Sequence, residues 1–261
     1  LCATIGFVVL VFAGYQAYRF LVRNRLWREI TPTHLTNCKA KRFGTENDGG
    51  YVMCANLMKE GSGLYSYGID ARDEWGCQLS QSLKAPVHQY DCFNLNRPPC
   101  GGGQPVFHEE CVGEKRQTIE GRVFDSVEAQ IRANGDSGKP IILKMDVEGA
   151  EWTSLSALPD ETLARIDQLL VEFHGTEVPQ ALPLFRKLKR HFHIANVHFN
   201  NSTCVSHREV WDPIIPFPAD VFEVLFVNKA LTTASPKPEA AALNMYDHPN
   251  MPHARDCQAA W

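Results

Sequence analysis

The chain has 261 residues, 44% of them hydrophobic, with 26 basic and 30 acidic side chains and a formal charge of −4. That length supports one domain of catalytic size with appendages. Because the two signs are interspersed, no basic face of the kind that holds nucleic acid is expected.

Residues 1–18, LCATIGFVVLVFAGYQAY, carry no formal charge and approach the ~20 apolar residues a helix needs to cross a bilayer. Arg19, Arg23, Arg25 and Arg28 follow, a stop-transfer flank rather than a cleavage site of small residues. A transmembrane anchor over residues 1–22 is therefore expected, with a cleaved signal as the alternative. The positive-inside rule would hold the domain in the cytosol, but the flank before Leu1 cannot be counted. Nine cysteines and the overlapping glycosylation acceptors Asn200-Asn201-Ser202 and Asn201-Ser202-Thr203 lean the other way, towards an ER or Golgi lumen. The expectation is a single-pass membrane protein with a lumenal domain. No C-x-x-C spacing supports a zinc site. Cys92, Cys100 and Cys111 flank one loop and are candidates for pairing, with connectivity open.

In chain order, Thr31 followed by Pro32 reads as the start of a short helix ending near Gly44. Asn47-Asp48-Gly49-Gly50 is a turn leading into the strand-like Tyr51-Val52-Met53, and residues 23–60 form a linker leading into the main domain. Strands are expected at 63–69, 87–90, 106–108, 141–145 and 169–173. Between them Trp75, Leu79 and Leu83 share a helical face, as do Val127 and Ile131, then Leu155 and Leu158; Asp125 with Glu128 suggests a capping box. Val178, Leu182, Phe185 and Leu188 mark a further helix with a basic end. This alternation predicts a Rossmann-like, doubly wound, mostly parallel α/β sheet of seven strands over residues 61–229, its last two strands (193–199 and 221–228) forming an antiparallel edge pair. The loop between those two holds Pro213, Pro216 and Pro218. Residues 230–261, Pro- and Ala-rich without period, read as a mobile tail.

In such a sheet the ligand lies beyond the carboxyl ends of the strands, where the strand order reverses. Gly68 ends the first core strand before a helix, which permits close backbone approach. Asp91 ends the second, roughly 20 residues on, where a carboxylate accepts hydrogen bonds from ribose hydroxyls. A turn glycine and a solvated strand-end acid are the plainer readings of the two. There is no glycine-rich phosphate loop, which argues against a nicotinamide dinucleotide and towards S-adenosylmethionine. The segment LKMDVEGAEW then places Asp146, Glu148 and Glu151 after the central strand, and QLLVEFHG brings Glu172 and His174 to the same rim. Glu151 is read as a helix-start acid, worth under ~1 kcal/mol there.

KMDVEGAEW at 144–152, with LLVEFHG at 169–175, YSYGID at 65–70 and NDGGYV at 47–52, resembles the FkbM-type methyltransferases, a branch of the class I S-adenosylmethionine-dependent fold. The likeness spans about residues 40–228. It implies that Gly68, Asp70, Asp91 and Asp146 hold the cofactor, with the Asp146–Glu148 loop beside the transferring methyl. It also implies O-methylation of a glycan, lipid or small-molecule hydroxyl. His174 is the expected base, with Asp146, Glu148 and Glu172 orienting it or the substrate. A divalent cation collected by the same four residues would acidify the hydroxyl instead; ligand chemistry alone does not establish ligand geometry, so no metal is assigned. The other readings are a membrane-tethered binding domain without turnover and a nicotinamide-dependent oxidoreductase.

Overall fold

A computed structural model describes residues 2–204, 217–235 and 243–257, without the side chains of residues 2–11, 13, 16 and 244. The proline loop containing Pro213 and Pro216 lies outside the described residues, as do 236–242 and 258–261 of the expected tail.

In chain order the strands are β1 Ala40–Gly44, β2 Gly50–Cys54, β3 Gly63–Tyr67, β4 Pro86–Tyr90, β5 Gln104–His108, β6 Cys111–Val112, β7 Gln117–Ile119, β8 Arg122–Asp125, β9 Ile141–Met145, β10 Ile166–His174, β11 Phe192–Phe199 and β12 Val221–Asn228. The helices are α1 Cys2–Ile30, α2 Glu74–Leu83, α3 Val127–Ala133, α4 Glu151–Ala157, α5 Asp160–Arg165 and α6 Ala181–His191. Seven strands form a mixed, mostly parallel sheet in the order β11-β12-β10-β9-β3-β4-β5. The one reversed strand, β12, is inserted between β10 and β11 and runs antiparallel to both. β6, β8 and β7 make a separate small sheet, and β1 and β2 a hairpin.

Alternation along the strands divides the core in two. Leu143, Met145, Val171 and Phe173 face α3 to α6 and the end of α1, whereas Leu64, Ile142 and Leu170 face α2 and the hairpin. Beneath α6, Phe173, Phe185, Phe192, Phe222 and Phe226 are all essentially inaccessible. Each fully buried phenyl contributes roughly 1.5–3 kcal/mol. The outer ion pairs of α6 from Arg186 and Lys189 to Glu29 contribute about 0–1 kcal/mol each, and the pair of Arg190 with Asp160 lies in open solvent. Packing therefore sets where α6 sits, and the ion pairs follow.

Two sequence expectations are corrected near the N-terminus. Among the described residues no helix is long and apolar enough to cross a membrane, so the single-pass anchor is not supported. The physical reason is visible in the second half of α1, which belongs to the domain. Leu26 and Ile30 are fully buried, and the 2%-exposed Arg23 pairs with Glu177 and Asp220, both at 2.9 Å. Second, Thr31-Pro32 ends a helix and does not begin one. The Thr31 hydroxyl donates to Trp27 O, Pro32 has no N–H to continue the ladder, and Thr33 N donates to Ile194 O. The third helix is capped by Ser126, whose Oγ accepts from Ala129 N, one residue beyond the expected Asp125.

Residues 243–257 of the expected tail lie against β11 and β12. Asn250 Nδ2 donates to Glu223 Oε1 at 2.8 Å, Asn196 Nδ2 to Asp247 Oδ2 at 2.9 Å, and a disulfide joins Cys204 to Cys257. Both expected glycosylation asparagines are buried and engaged. Asn200 Nδ2 donates to Glu172 Oε1, and Asn201 Nδ2 to Met251 O. A glycan on either nitrogen would displace these bonds, so in the folded chain both residues are structural. The remaining disulfides are Cys38–Cys54, Cys77–Cys100 and Cys92–Cys111.

His198, 7% exposed, lies 3.5 Å from Glu223 and 3.7 Å from Asp256. Burial opposes its charge, but the contacts with Asp256 and Glu223 outweigh it and raise the imidazole pKa to about 10. A folded-state pKa above the unfolded value of about 6.5 stabilises the fold fully below that pH. The contribution is lost as pH rises through about 10. His198→Gln should therefore lower the Tm near pH 7 and flatten its fall between pH 7 and 10.5, as read by circular dichroism; a wild-type-minus-variant difference independent of pH would contradict this.

Candidate functional site

Strand order reverses at β3, whose neighbours are β4 on one side and β9 on the other. Just past their ends the two central strands touch. Gly68, at φ +69°, donates to Tyr90 O, and a Cβ placed on it would lie 1.6 Å from Asp146 O. Only glycine fits, for both conformation and space.

Lys144 locks this crossing from below. Its buried ammonium donates to Gly68 O at 2.7 Å and to Asp146 Oδ2 at 3.2 Å. Tyr51, delivered by the hairpin, donates its hydroxyl to the same oxygen at 3.3 Å. One oxygen of Asp146 is thus committed to support. The other, Oδ1, lies 3.9 Å from His174 Nε2.

Two cavities open on either side of Gly68 and share Gly68, Asp70, Asp146 and Glu148 in their walls. The larger, about 410 Å³, is mostly apolar, with Tyr67, Tyr90, Phe93, Val112 and Phe124 around it. Tyr67 Oη, fully buried, has no hydrogen-bond partner among the described residues. The smaller, about 160 Å³, is polar and includes Thr45, Asp48, Arg72, Glu74 and Lys144.

The sequence-predicted residues divide by role. Asp91 lines the larger cavity, so it shares a cleft with Asp146 and Glu148. Its carboxylate accepts from four backbone N–H groups, those of Ile69 and Asp70 on Oδ2 and of Phe93 and Asn94 on Oδ1. It therefore clamps two loops together. Asp70 is the exposed acid on the rim, with Oδ1 accepting from Asn94 Nδ2 at 2.8 Å. Glu148, at φ +53°, projects into solvent with its side chain 87% exposed and Oε2 3.4 Å from His174 Nε2. Glu172 lies behind the cavities. Burial, with the charges of Asp146 and Glu223, pushes its pKa well up, and its Oε2 has no partner among the described residues.

No protein-family model, no curated protein and no solved structure matches this chain.

Glu151 does more than favour a helix start. It is fully buried, accepting from His174 N at 2.7 Å and from Gly149 N at 2.8 Å, so it ties the acidic loop to the end of β10. Its Oε1 also faces His174 Nδ1 at 3.4 Å. Burial opposes the imidazolium, but Glu151, Glu172 and Glu148 prevail and raise the His174 pKa to about 9. A raised pKa favours the protonated ring at neutral pH, which works against the expected role of His174 as general base. Lys144, Tyr51 and Tyr67 were not anticipated as site residues. Lys144 and Tyr67 read in sequence as ordinary strand positions, and Tyr51 reaches the site only through the hairpin's docking.

Two outcomes test this geometry. Gly68→Ala should cost more than about 2 kcal/mol in urea unfolding, since backbone must shift, whereas Gly101→Ala, whose Cβ meets nothing within 4 Å, should change it by under about 0.5. Glu151→Gln should bring the His174 pKa down from about 9, read by NMR titration of the ring protons; an unchanged value would remove Glu151 as its main charge partner.

Proposed function

We propose that this chain is an S-adenosylmethionine-dependent methyltransferase acting on a hydroxyl oxygen, with the donor held where β3, β4 and β9 end. The observation that carries the reading is a pair of chambers of unlike chemistry meeting at an acidic waist. The apolar chamber suits a nucleobase, and the unpartnered Tyr67 hydroxyl is a donor for a ring nitrogen. The polar chamber suits an amino-acid end, with Arg72 and Lys144 beside acids. The doubly wound arrangement, a reversal at the first strand with the ligand at that point, supports the same reading, as does the resemblance to FkbM-type enzymes.

Bound there, S-adenosylmethionine supplies a methyl carbon whose bond to sulfur breaks as its bond to the acceptor oxygen forms, the electron pair staying on sulfur. The chain's own residues hold and orient. Asp91 fixes the two loops that wall the nucleoside chamber. Gly68, Asp70, Asp146 and Glu148 line the passage between the chambers, and Asp91 lines the apolar one. The acceptor hydroxyl gives up its proton at Asp146 and Glu148, because Asp146 Oδ1 is the oxygen left unused by Lys144 and Tyr51. Alignment of the two reactants supplies most of the acceleration in such a transfer. The acceptor class is a glycan, lipid or small-molecule hydroxyl.

Titration calorimetry with S-adenosylmethionine should show saturable binding that S-adenosylhomocysteine competes away. Tyr67→Phe should weaken it roughly 2- to 10-fold, the worth of one hydrogen bond. Asp146→Asn should retain binding and lose transfer of labelled methyl to an extract. If neither nucleoside binds saturably to the folded chain, the proposal is wrong.

A further inference from the structure

Around His174 the structure gathers more carboxylate than support requires. Nε2 faces Glu148 Oε2 at 3.4 Å and Asp146 Oδ1 at 3.9 Å, and one ligand atom from each of the three residues lies within 4.8 Å of the others. Two ligands each about 2.1 Å from a shared ion are separated by roughly 3 Å at a right angle and about 4.2 Å when opposed. The two imidazole separations fall inside that range.

Two independent features point the same way. The first is the buried Glu151, which faces Nδ1 at 3.4 Å and so turns Nε2 towards the two acids. A carboxylate behind a histidine, with the opposite nitrogen presented outward, is the usual support of a metal-binding imidazole. The second is Glu172. It is 4% exposed, and its Oε2 has no partner among the described residues. Pairing of Val171 with Met145 sets Glu172 level with Asp146, and strand alternation puts it on the same face of β10 as His174. A buried carboxylate oxygen left unpaired beside this cluster is costly unless something positive or protic reaches it.

We infer that Asp146, Glu148 and His174 form a binding site for one divalent cation of the Mn²⁺ or Mg²⁺ class, the ion displacing the proton on His174 Nε2 to solvent as it binds. Two carboxylate oxygens and one imidazole nitrogen favour Mn²⁺ over Mg²⁺, and an exposed Glu148 leaves open positions for water or substrate oxygen. At the waist between the chambers, the ion would lower the pKa of an acceptor hydroxyl; Asp146 and Glu148, the proton acceptors without the ion, would then serve as its ligands and the proton would pass to solvent. That role rests on the methyl-transfer reading; binding of the ion does not.

The test uses the full chain without methyl donor. Mn²⁺ is titrated in and the free ion followed by electron paramagnetic resonance. One saturable site is expected, competed by Mg²⁺. Asp146→Asn and Glu148→Gln should each weaken it at least 10-fold, while Glu120→Gln, a surface acid remote in sequence from the cluster, leaves it unchanged. Circular dichroism of each variant checks the fold; should Asp146→Asn unfold, Glu148→Gln, at an exposed side chain, carries the comparison. Absence of saturable binding, or binding indifferent to Glu148→Gln, overturns the inference. The calorimetry with nucleosides is read separately, so a cation site without donor binding would sink only the methyltransferase reading.

Discussion

The site depends on one close backbone approach, that of Gly68 to the carbonyl of Asp146. Two parallel strands that pair from Gly63 with Ile141 to Tyr67 with Met145 must let their exit loops pass without a side chain between them. Because Gly68 has none, its carbonyl can turn to the Lys144 ammonium, and the same ammonium takes one oxygen of Asp146. The reversal of strand order opens the crevice at this point, and the crossing divides it into two chambers. A bulkier residue there would meet the Asp146 carbonyl and force the loops apart.

The surrounding chemistry is a row of polar side chains across the sheet's carboxyl end, from Lys144 through Glu172 and Glu223 to His198. In register, Glu172 stands opposite Glu223, and Glu223 opposite His198. Such a row is expensive to bury unless each member finds a partner. Partners come from far along the chain: Asn200, after β11, donates to Glu172, and from the C-terminal segment Asn250 donates to Glu223 and Asp256 faces His198, while Tyr51 from the hairpin donates to Asp146, the acid beside Lys144. The segments flanking the central sheet are therefore structural parts of the site. Disulfides at Cys38–Cys54 and Cys204–Cys257 hold two of them in place.

The same logic accounts for the N-terminal helix. Its apolar sequence resembles a span, but Arg23 is buried in ion pairs and Leu26 and Ile30 fill the face beside α6. Hydropathy counted along the chain does not register that a cation within the helix has two carboxylates waiting in the fold. Exposed Phe12, Tyr15, Tyr18 and Leu21 remain on its outer side.

The sequence by itself determined the mixed α/β sheet and which of its segments become the seven strands, because period-two and period-3.6 burial are local properties of the chain. It also marked the acidic loop 146–151 and the end of β10 as neighbours, since both follow central strands. Only the tertiary structure decided which acids serve and which support. Asp91 spends its oxygens on four backbone N–H groups, and Glu151 became a buried tie to His174, because loop closure fixes which N–H groups need an acceptor. The raised pKa of His174, the support from Tyr51 and the burial of Asn200 and Asn201 arise in the same way. Each depends on charges or donors contributed by elements distant in sequence, and no local pattern of residues encodes those distances.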